Sequence, residues 1–176
     1  MSVPIIRILS DDEWPIFRDF RLRALENSPE HIGGVIEEER AWDESQWRAQ
    51  LKKFDFVLAT VEGETVGGMT VEKLNGDFGA TCWIGSCWID PAMRGKKIFS
   101  TMIAFLDSVA EKKGWLVQGL GVWVDNHAAI PVYEKLGFAK KGPEMPSTRV
   151  TNPQKFYQRM IRETPKERRS YTYCRM

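Results

Sequence analysis

The chain's 176 residues are enough for one domain that folds around its own core without disulfides or structural metals. Its 43% hydrophobic and 28% charged residues are typical of a soluble globular protein, and a formal net charge of +1 excludes a strong overall attraction to nucleic acid or to anionic membranes. The first residues hold only a short apolar stretch, broken by Arg7, so we expect neither a signal peptide nor a membrane span.

The predicted elements alternate between strands and helices. Ser10 and Glu13 have the spacing of a capping box, which indicates the start of the first helix. Turn sequences at residues 62–64 and 75–77 separate three stretches of period two and predict an antiparallel meander. In chain order we predict a strand at 4–9, a helix to about 27, an acidic connection at 28–41, a helix at about 43–53, strands at 56–61, 65–74 and 80–90, a helix at 98–113, a strand at 116–124, a helix at 126–136, and strands at 138–141 and 155–162.

The order of these elements predicts the fold class. A strand, the helix at 98–113 and a further strand predict one parallel pair inside an otherwise antiparallel sheet. We therefore expect a single α/β domain with a mixed sheet over residues 1–163. Residues 164–176 are polar and basic, and we expect a loosely held tail there.

The cysteines indicate a reducing compartment. Three cysteines are an odd number, and Cys82 and Cys87 lie five residues apart in one predicted strand, where their side chains should point to opposite faces. They could not form a disulfide there, and no metal-ligand spacing is present. We therefore expect a cytoplasmic protein that binds no metal.

A short helix near the end of the predicted sheet offers two polar groups beside a strand end. Asn126 follows the strand at 116–124, so its side chain can cap this helix, and Gly137 can take the left-handed conformation that ends it. Tyr133 lies seven residues after Asn126, which is about two helical turns, so both side chains project from one face. Because ligands bind at strand ends in α/β sheets, this pair indicates a site. The alternative for Tyr133 is packing in the core.

A second candidate site is the loop at residues 90–100, which leads from a strand end into the N-terminus of the helix at 98–113. Unpaired backbone N–H groups and the helix dipole bind anions at such a point, and Arg94, Lys96 and Lys97 add positive charge. The glycine spacing excludes a Walker loop and a dinucleotide fingerprint. The loop is therefore either a phosphate cradle or a solvated basic turn.

The two segments together resemble a known enzyme superfamily. A strand, the loop D-P-A-M-R-G-K-K, a long helix, a strand, and then N-H-A-A-I-P-V-Y-E-K-L-G-F is the order seen in the GNAT superfamily of N-acetyltransferases. The resemblance extends over about residues 5–163, and residues 21–33 also look like the first-helix segment of many small members. It implies a mostly antiparallel sheet with about four helices, whose fourth and fifth strands splay apart around acetyl-coenzyme A.

The resemblance also implies roles for particular residues. The fourth-strand backbone would pair with the pantetheine arm, the loop amides would hold the pyrophosphate, Asn126 would contact the pantetheine, and Tyr133 would lie near the sulfur. The cofactor-binding residues implied in this way are Cys87, Trp88, Ile89, Arg94, Gly95, Lys96, Lys97, Ile98, Phe99, Ser100, Asn126 and Tyr133.

The loop departs from the superfamily's pattern, Q/R-x-x-G-x-G/A, at two positions. Lys97 and Phe99 stand where small residues belong. Glycine lets a backbone approach phosphate closely, so these side chains could crowd the cradle. Lys97 could instead pair with a phosphate, and Phe99 could turn toward the core.

The implied chemistry is direct attack of a neutral amine on a thioester. A backbone N–H near Ile89 would stabilise the negative oxygen, and Tyr133 is the candidate general acid for the departing thiolate. No glutamate on the fourth strand can act as the base, which leaves a water chain, Ser86, a carboxylate of residues 37–39, or an amine that arrives neutral. We expect His31 and His127 to be surface or packing residues.

The acceptor is predicted from the acidic segment over residues 26–44, which in the resembling superfamily covers the acceptor site. An acidic rim favours a cationic acceptor, such as a polyamine, an aminoglycoside-like molecule or a basic peptide. Trp42, Trp47 and Trp83 could line the same pocket, although we expect most of them in the core. A solvated helix flank is the alternative.

Two other functions stay open on the sequence alone. One is N-acetylation of a protein or peptide, and the other is an acyl-coenzyme A-binding regulatory module without catalysis. In each case we expect a monomer or homodimer without a nucleic-acid or membrane partner.

Overall fold

The computed structural model describes residues 2–168, which form seven strands and five α-helices. The strands are β1 (Ile5–Ile8), β2 (Asp55–Val61), β3 (Glu64–Lys73), β4 (Cys82–Ile89), β5 (Val117–Trp123), β6 (Ala139–Pro146) and β7 (Phe156–Glu163). The helices are α1 (Trp14–Asn27), α2 (Ile36–Arg40), α3 (Glu44–Leu51), α4 (Ile98–Lys113) and α5 (Ala129–Lys135). The part of the expected tail from residue 169 onward lies outside the described residues.

All seven strands form one mixed sheet in the order β1-β2-β3-β4-β5-β7-β6. β1 to β4 are an antiparallel meander, β4 and β5 are parallel, and β7 lies antiparallel between β5 and β6. α4 joins the one parallel pair, because parallel neighbours need a crossover. The mixed sheet is therefore confirmed. The structure adds α2, a helix of five residues inside the acidic connection.

Two hydrophobic cores cover the two faces of the sheet, because alternate residues of a strand point to opposite sides. On β2, Val57 and Ala59 pack in the core beneath α4, whereas Phe56 and Leu58 pack in the core beneath α1 and α3. The α1 stripe of Phe17 and the residues that follow at helical spacing is buried in the second core, as predicted.

The alternation is broken inside β4 by a bulge. Ser86 has a φ of 47°, and the register with β3 shifts between Gly68 and Thr70. An extra residue in a bulge moves the following side chains to the other face. Cys82 and Cys87 consequently both contact the core beneath α4, so the prediction that they point to opposite faces is wrong.

A buried polar cluster ties β7 to α4, β5 and α5. The Arg162 guanidinium donates to both carboxylate oxygens of Asp107 at 2.6 and 2.8 Å, to Gln118 Oε1 at 3.1 Å and to the Leu136 carbonyl at 2.7 Å. Thr164 is buried, and its hydroxyl donates to the Trp115 carbonyl at 2.9 Å. The chain is therefore held in place beyond the end of β7.

Among the described residues, no helix combines the length and the apolar character that crossing a bilayer requires.

Candidate active site

A cavity of about 380 Å³ opens where β4 and β5 separate. The two strands pair only from Cys82–Ile84 to Gln118–Leu120, and beyond these residues each strand continues without the other. The expected splay is therefore present. The cavity is lined by His31, Ile32, Gly33, Trp83, Ile84, Gly85, Ser86, Cys87, Leu120, Gly121, Val122, Trp123, Asn126, Tyr133, Ser147, Thr148, Arg149 and Tyr157.

Asn126 and Tyr133 both reach this cavity, as predicted from their spacing. The Asn126 side-chain oxygen accepts a hydrogen bond from the Ala129 N–H at 3.2 Å, and its carbonyl accepts from Ala129 and Ile130. Asn126 thus caps a turn that leads into α5, which begins three residues later than the predicted start. Asn126 can cap this turn and also line the cavity, because the cap uses only the oxygen of its side-chain amide.

Tyr133 is half-buried, with its ring edge-on to Phe99 at 5.4 Å and to Phe138 at 6.1 Å. Burial, and then the neighbouring Cys87 thiol, raise the pKa of the Tyr133 phenol above its ordinary value of 10. The phenol therefore keeps its proton at neutral pH. A neutral phenol at this position can donate a hydrogen bond or a proton into the cavity.

Cys87 lines the same part of the cavity, and burial raises the pKa of its thiol to about 12. A thiol is nucleophilic only as thiolate, so Cys87 stays unreactive at neutral pH. This favours direct transfer over a route through an acylated cysteine.

The side chains of Trp88 and Ile89 pack against the two cores and do not line the cavity. The Trp88 indole is buried in the core beneath α1, where its N–H donates to the Ser28 hydroxyl at 3.3 Å. The Asp90 N–H bonds to the Val66 carbonyl on β3. Because N–H groups alternate along an antiparallel strand, the Ile89 N–H points away from β3, toward the gap.

The loop before α4 has the form of an anion cradle. Lys97 adopts the left-handed conformation, with φ 60° and ψ 17°, and its carbonyl accepts hydrogen bonds from the Ser100 and Thr101 hydroxyls at 2.9 Å. The first N–H groups of a helix point out of its N-terminus and favour an anion. The Arg94 guanidinium is directed away from them, because it donates to the Ile89 carbonyl at 3.1 Å and to the Ser28 hydroxyl at 3.5 Å. The amides, with Lys96 and Lys97 in the same loop, suit a pyrophosphate.

The loop and the cavity are connected through one aromatic contact. None of Arg94, Gly95, Lys96, Lys97, Ile98, Phe99 and Ser100 lines the cavity. Ile98 is buried, and Phe99 turns toward the core beneath α4 and contacts the Tyr133 ring. Of the cofactor residues implied by resemblance, Cys87, Asn126 and Tyr133 line the cavity, seven lie in the loop at 94–100, and Trp88 and Ile89 lie in neither group.

Tyr157 and Arg149 line the cavity and were missed by sequence reasoning, whereas Trp83 was a predicted wall. Trp83 lies across β5, where a Cβ at Gly119 would come within 2.5 Å of its ring, and Tyr157 lies beside Gly121. The alternating glycines of Gln118-Gly119-Leu120-Gly121 are the signal that could have indicated a flat wall, because glycine in a strand marks close approach. Arg149, from the connection between β6 and β7, had no local signal.

The acidic segment over residues 26–44 gives no carboxylate to the cavity wall. Glu39 is buried and accepts two hydrogen bonds from Arg21, at 2.7 and 2.8 Å. The others that pair do so on the surface, as Glu26 does with Arg40 and Glu44 with Arg48. Most acidic side chains of this segment are therefore engaged in ion pairs, either inside the fold or on its surface. Glu39 is one of them, so it is not free to act as a base.

The remaining candidates differ in position. His31 is 42% exposed, as expected of a surface residue, and it also lines the cavity. Trp42 and Trp47 pack against each other at 4.9 Å in the core beneath α1 and do not line the cavity, so Trp83 is the one of the three predicted walls that does. The Ser86 hydroxyl lines the cavity but accepts from Arg21 at 3.2 Å, which makes it a poor proton acceptor.

Within residues 2–168, no three or more histidine, cysteine, aspartate or glutamate side chains group together as a metal site would require.

The sequence of the chain matches one known protein family. Residues 11–138 match the sequence profile described as the acetyltransferase (GNAT) family. No curated protein sequence matches the chain.

Solved structures share the fold over nearly the whole chain. A putative acetyltransferase from Salmonella typhimurium, yncA, solved with its cofactor acetyl-CoA, is 18% identical, with a TM-score of 0.68 over 93% of this chain and 95% of its own. A ribosomal-protein-alanine N-acetyltransferase from Brucella melitensis is 19% identical, with a TM-score of 0.64 over 90% and 99%. A probable acetyltransferase from Staphylococcus epidermidis is 12% identical, with a TM-score of 0.67 over 93% and 100%. At these identities the likeness concerns the fold.

Proposed function

Since the chain belongs to the acetyltransferase (GNAT) family and is an acetyl-coenzyme A-dependent acetyltransferase, we propose that it acetylates the primary amine of a small molecule by direct attack, with Tyr133 as the general acid. The observation that carries the proposal is the position of Tyr133 on the wall of the cavity between the splayed strands.

The residues present fit acetyl-coenzyme A. The gap between β4 and β5 exposes strand backbone that a pantetheine arm can pair with, and the left-handed turn at Lys97 opens the α4 N-terminus to a pyrophosphate. Lys96 and Lys97 supply positive charge in the same loop, and Asn126 supplies an amide on the cavity wall. When bound, acetyl-coenzyme A supplies a thioester carbonyl that an amine can attack.

The chain's own groups account for the polar steps. The Ile89 N–H, directed into the gap, would donate to the carbonyl oxygen as negative charge develops there. Tyr133, which like any phenol is protonated at neutral pH, would donate its proton to the departing sulfur. The described cavity wall holds no carboxylate, so an acceptor that arrives as the neutral amine fits best.

A small acceptor is favoured over an extended peptide by a bridge beside the cavity. Arg149 Nη1 donates to the His31 carbonyl at 3.2 Å, which joins the β6–β7 connection to the segment after α1. Both residues line the cavity, so the bridge narrows the groove that an extended peptide would need. The Brucella melitensis neighbour is a ribosomal-protein-alanine N-acetyltransferase, but here the bridge opposes such an acceptor.

A polyamine or aminoglycoside-like acceptor, expected from the acidic segment, is supported by that segment's charge near the cavity and not by a group on its wall. Glu30, whose carboxylate lies 3.5 Å from the His31 ring, is the acid nearest in sequence to the wall.

The test is the pair of variants Tyr133→Phe and Tyr157→Phe. Loss of a general acid costs roughly 100-fold or more in turnover, so Tyr133→Phe should lower kcat by about that factor in an assay of free thiol release. Its acetyl-coenzyme A affinity, measured by calorimetry, should change little. Tyr157→Phe removes another phenol of the same cavity and should cost far less.

Unchanged turnover in Tyr133→Phe would remove the phenol from the mechanism. Binding of acetyl-coenzyme A without thiol release, on every amine tried, would instead favour a regulatory module.

A further inference from the structure

A single guanidinium stands on the cavity wall on the side of α1 and α2. Arg149 donates to the His31 carbonyl at 3.2 Å, and its Cζ lies 4.9 Å from the centre of the Trp123 ring. A Cβ at Gly33 would come within 2.8 Å of that Cζ. The guanidinium is thus bound by the His31 carbonyl, stacked on the Trp123 ring and packed against Gly33, and the residue stays exposed to solvent.

The charge of Arg149 has no protein counter-ion. Among the described residues it forms no ion pair, and no aspartate or glutamate lines the cavity. Arg21 lies nearby, but both oxygens of its partner Glu39 are already bound to it. Packing of the side chain against its neighbours, and then the charge of Arg21, lower the pKa of Arg149, although the residue as a whole stays exposed. A cation without a protein counter-ion, beside a second cation, favours an anionic ligand.

The rest of this side of the cavity suits a small apolar or aromatic group. Trp83 lies flat over Gly119, Tyr157 lies over Gly121, and Trp123 completes the aromatic wall. Ser147 and Thr148 precede Arg149 on the wall and offer hydroxyl groups. Small-molecule sites commonly combine an apolar wall with a few polar groups that fix orientation.

We propose that the acceptor is an amino acid-like molecule, a primary amine that also carries a carboxylate and an apolar or aromatic side chain, and that Arg149 binds the carboxylate. The inference rests on the proposed function. Guanidinium groups bind carboxylates with two parallel hydrogen bonds, which would hold the amine in a fixed direction relative to the thioester. A polyamine would instead place additional positive charge against an unpaired arginine.

The first experiment compares L-amino acids with their own amides. L-phenylalanine, L-tryptophan, L-methionine and L-serine are each assayed against the matching amide and against spermidine, with acetyl-coenzyme A and a free-thiol readout. Rates are corrected for the neutral fraction of each amine. For at least one apolar or aromatic member, kcat/KM should be about tenfold or more higher for the acid than for the amide, the size expected of a charge-assisted hydrogen bond.

The second experiment assigns that preference to Arg149. Arg149→Ala should raise KM for the preferred acid about tenfold or more, with a much smaller effect on the amide. Arg149→Glu should reverse the preference. The matched control is Lys155→Ala, because Lys155 also lies over the Trp123 ring, at 5.5 Å, but is off the cavity wall and 3.5 Å from Asp125. It should leave the preference intact, and thermal melting of each variant checks its folding.

The outcomes separate the two proposals. If amides or spermidine are acetylated as well as the acids, or if Arg149→Ala leaves the preference unchanged, the carboxylate site is overturned while the acetyltransferase stands. If no amine releases thiol, the proposed function fails. The carboxylate site is then tested separately, by calorimetric measurement of amino acid binding to coenzyme A-saturated protein. There, binding of an acid that is lost in Arg149→Ala supports the inference, and no binding of any acid overturns it.

Discussion

At the scale of single residues, Lys97 shows how a departure from a family pattern can keep the backbone and change the side chain. It stands where the resembling superfamily has glycine, and it adopts a left-handed conformation that glycine takes without strain, with φ 60°. Lysine in place of glycine therefore adds a charge in the loop before α4, and its left-handed backbone conformation lowers the free energy of unfolding. Phe99 does not crowd the phosphate cradle, because its ring turns toward Tyr133 and the core beneath α4.

Comparing Lys97→Gly with Lys97→Ala separates strain from charge, since both remove the ammonium group. The left-handed conformation costs a non-glycine residue roughly 1–2 kcal/mol, and the greater freedom of glycine in the unfolded chain offsets part of that. Lys97→Gly should therefore be more stable than Lys97→Ala by roughly 1 kcal/mol in urea unfolding.

The same two variants test the charge. Both should bind acetyl-coenzyme A more weakly than the parent at low salt, and the deficit should shrink as salt screens the phosphates. Equal stability of the two variants would contradict the strain, and equal affinity to the parent would contradict the phosphate contact.

At the scale of elements, the cavity depends on a fixed arrangement of the strands beside it. β5 forms one wall of the cavity and is held from behind by the cluster of Arg162, Asp107 and Gln118, which joins it to α4 and β7. The Asp107 carboxylate and the Arg162 guanidinium are 1% and 5% exposed, so neither could find water if the other were neutralised.

We predict that Asp107→Asn destabilises the fold by about 3–5 kcal/mol, because it leaves a buried guanidinium without its counter-charge. The matched control is Asp55→Asn, which breaks a pair with Lys113 on the same helix, where the side chains are 35% and 32% exposed. An exposed pair contributes about 0–1 kcal/mol. Denaturant unfolding measures both, and a similar small loss in each would show that the buried cluster is not stabilising.

At the scale of the whole molecule, a hydrophobic core lies on each face of the sheet, and the cavity opens where the one parallel pair diverges. The cavity therefore adjoins elements on both faces of the sheet. On one face Tyr133 packs with the core beneath α4, and on the other Arg21 of α1 donates to the Gly33 carbonyl and the Ser86 hydroxyl. A ligand seated there would hold β4 and β5 together where backbone hydrogen bonds end, at Ile84 and Leu120.

We expect acetyl-coenzyme A to raise the melting temperature as a consequence. At about 100 times Kd, a ligand that binds only the folded state adds about 2.7 kcal/mol, which for a domain of this size corresponds to roughly 5–11 °C. Thermal melting with increasing acetyl-coenzyme A measures it. Pantetheine, which lacks the pyrophosphate, should give a much smaller shift, and an equal shift would argue against the loop before α4 as the anion site.

The sequence by itself determined the elements and the two segments of the site. The period of the apolar residues predicted α4 over its full length, turn sequences predicted the meander, and the spacing of Asn126 and Tyr133 placed both in the cavity. These features are local, because each depends on residues within a few turns or one hairpin.

Only the tertiary structure decided what faces the acceptor. A bulge at Ser86 turned Cys87 to the same side as Cys82, and Arg21 bound the Glu39 carboxylate that the sequence left available as a base. His31, Trp83 and Arg149 meet on one wall although long stretches of chain separate them. Local periodicity assigns a residue to a face, but strand order and the packing of connections decide which residues of distant segments come together.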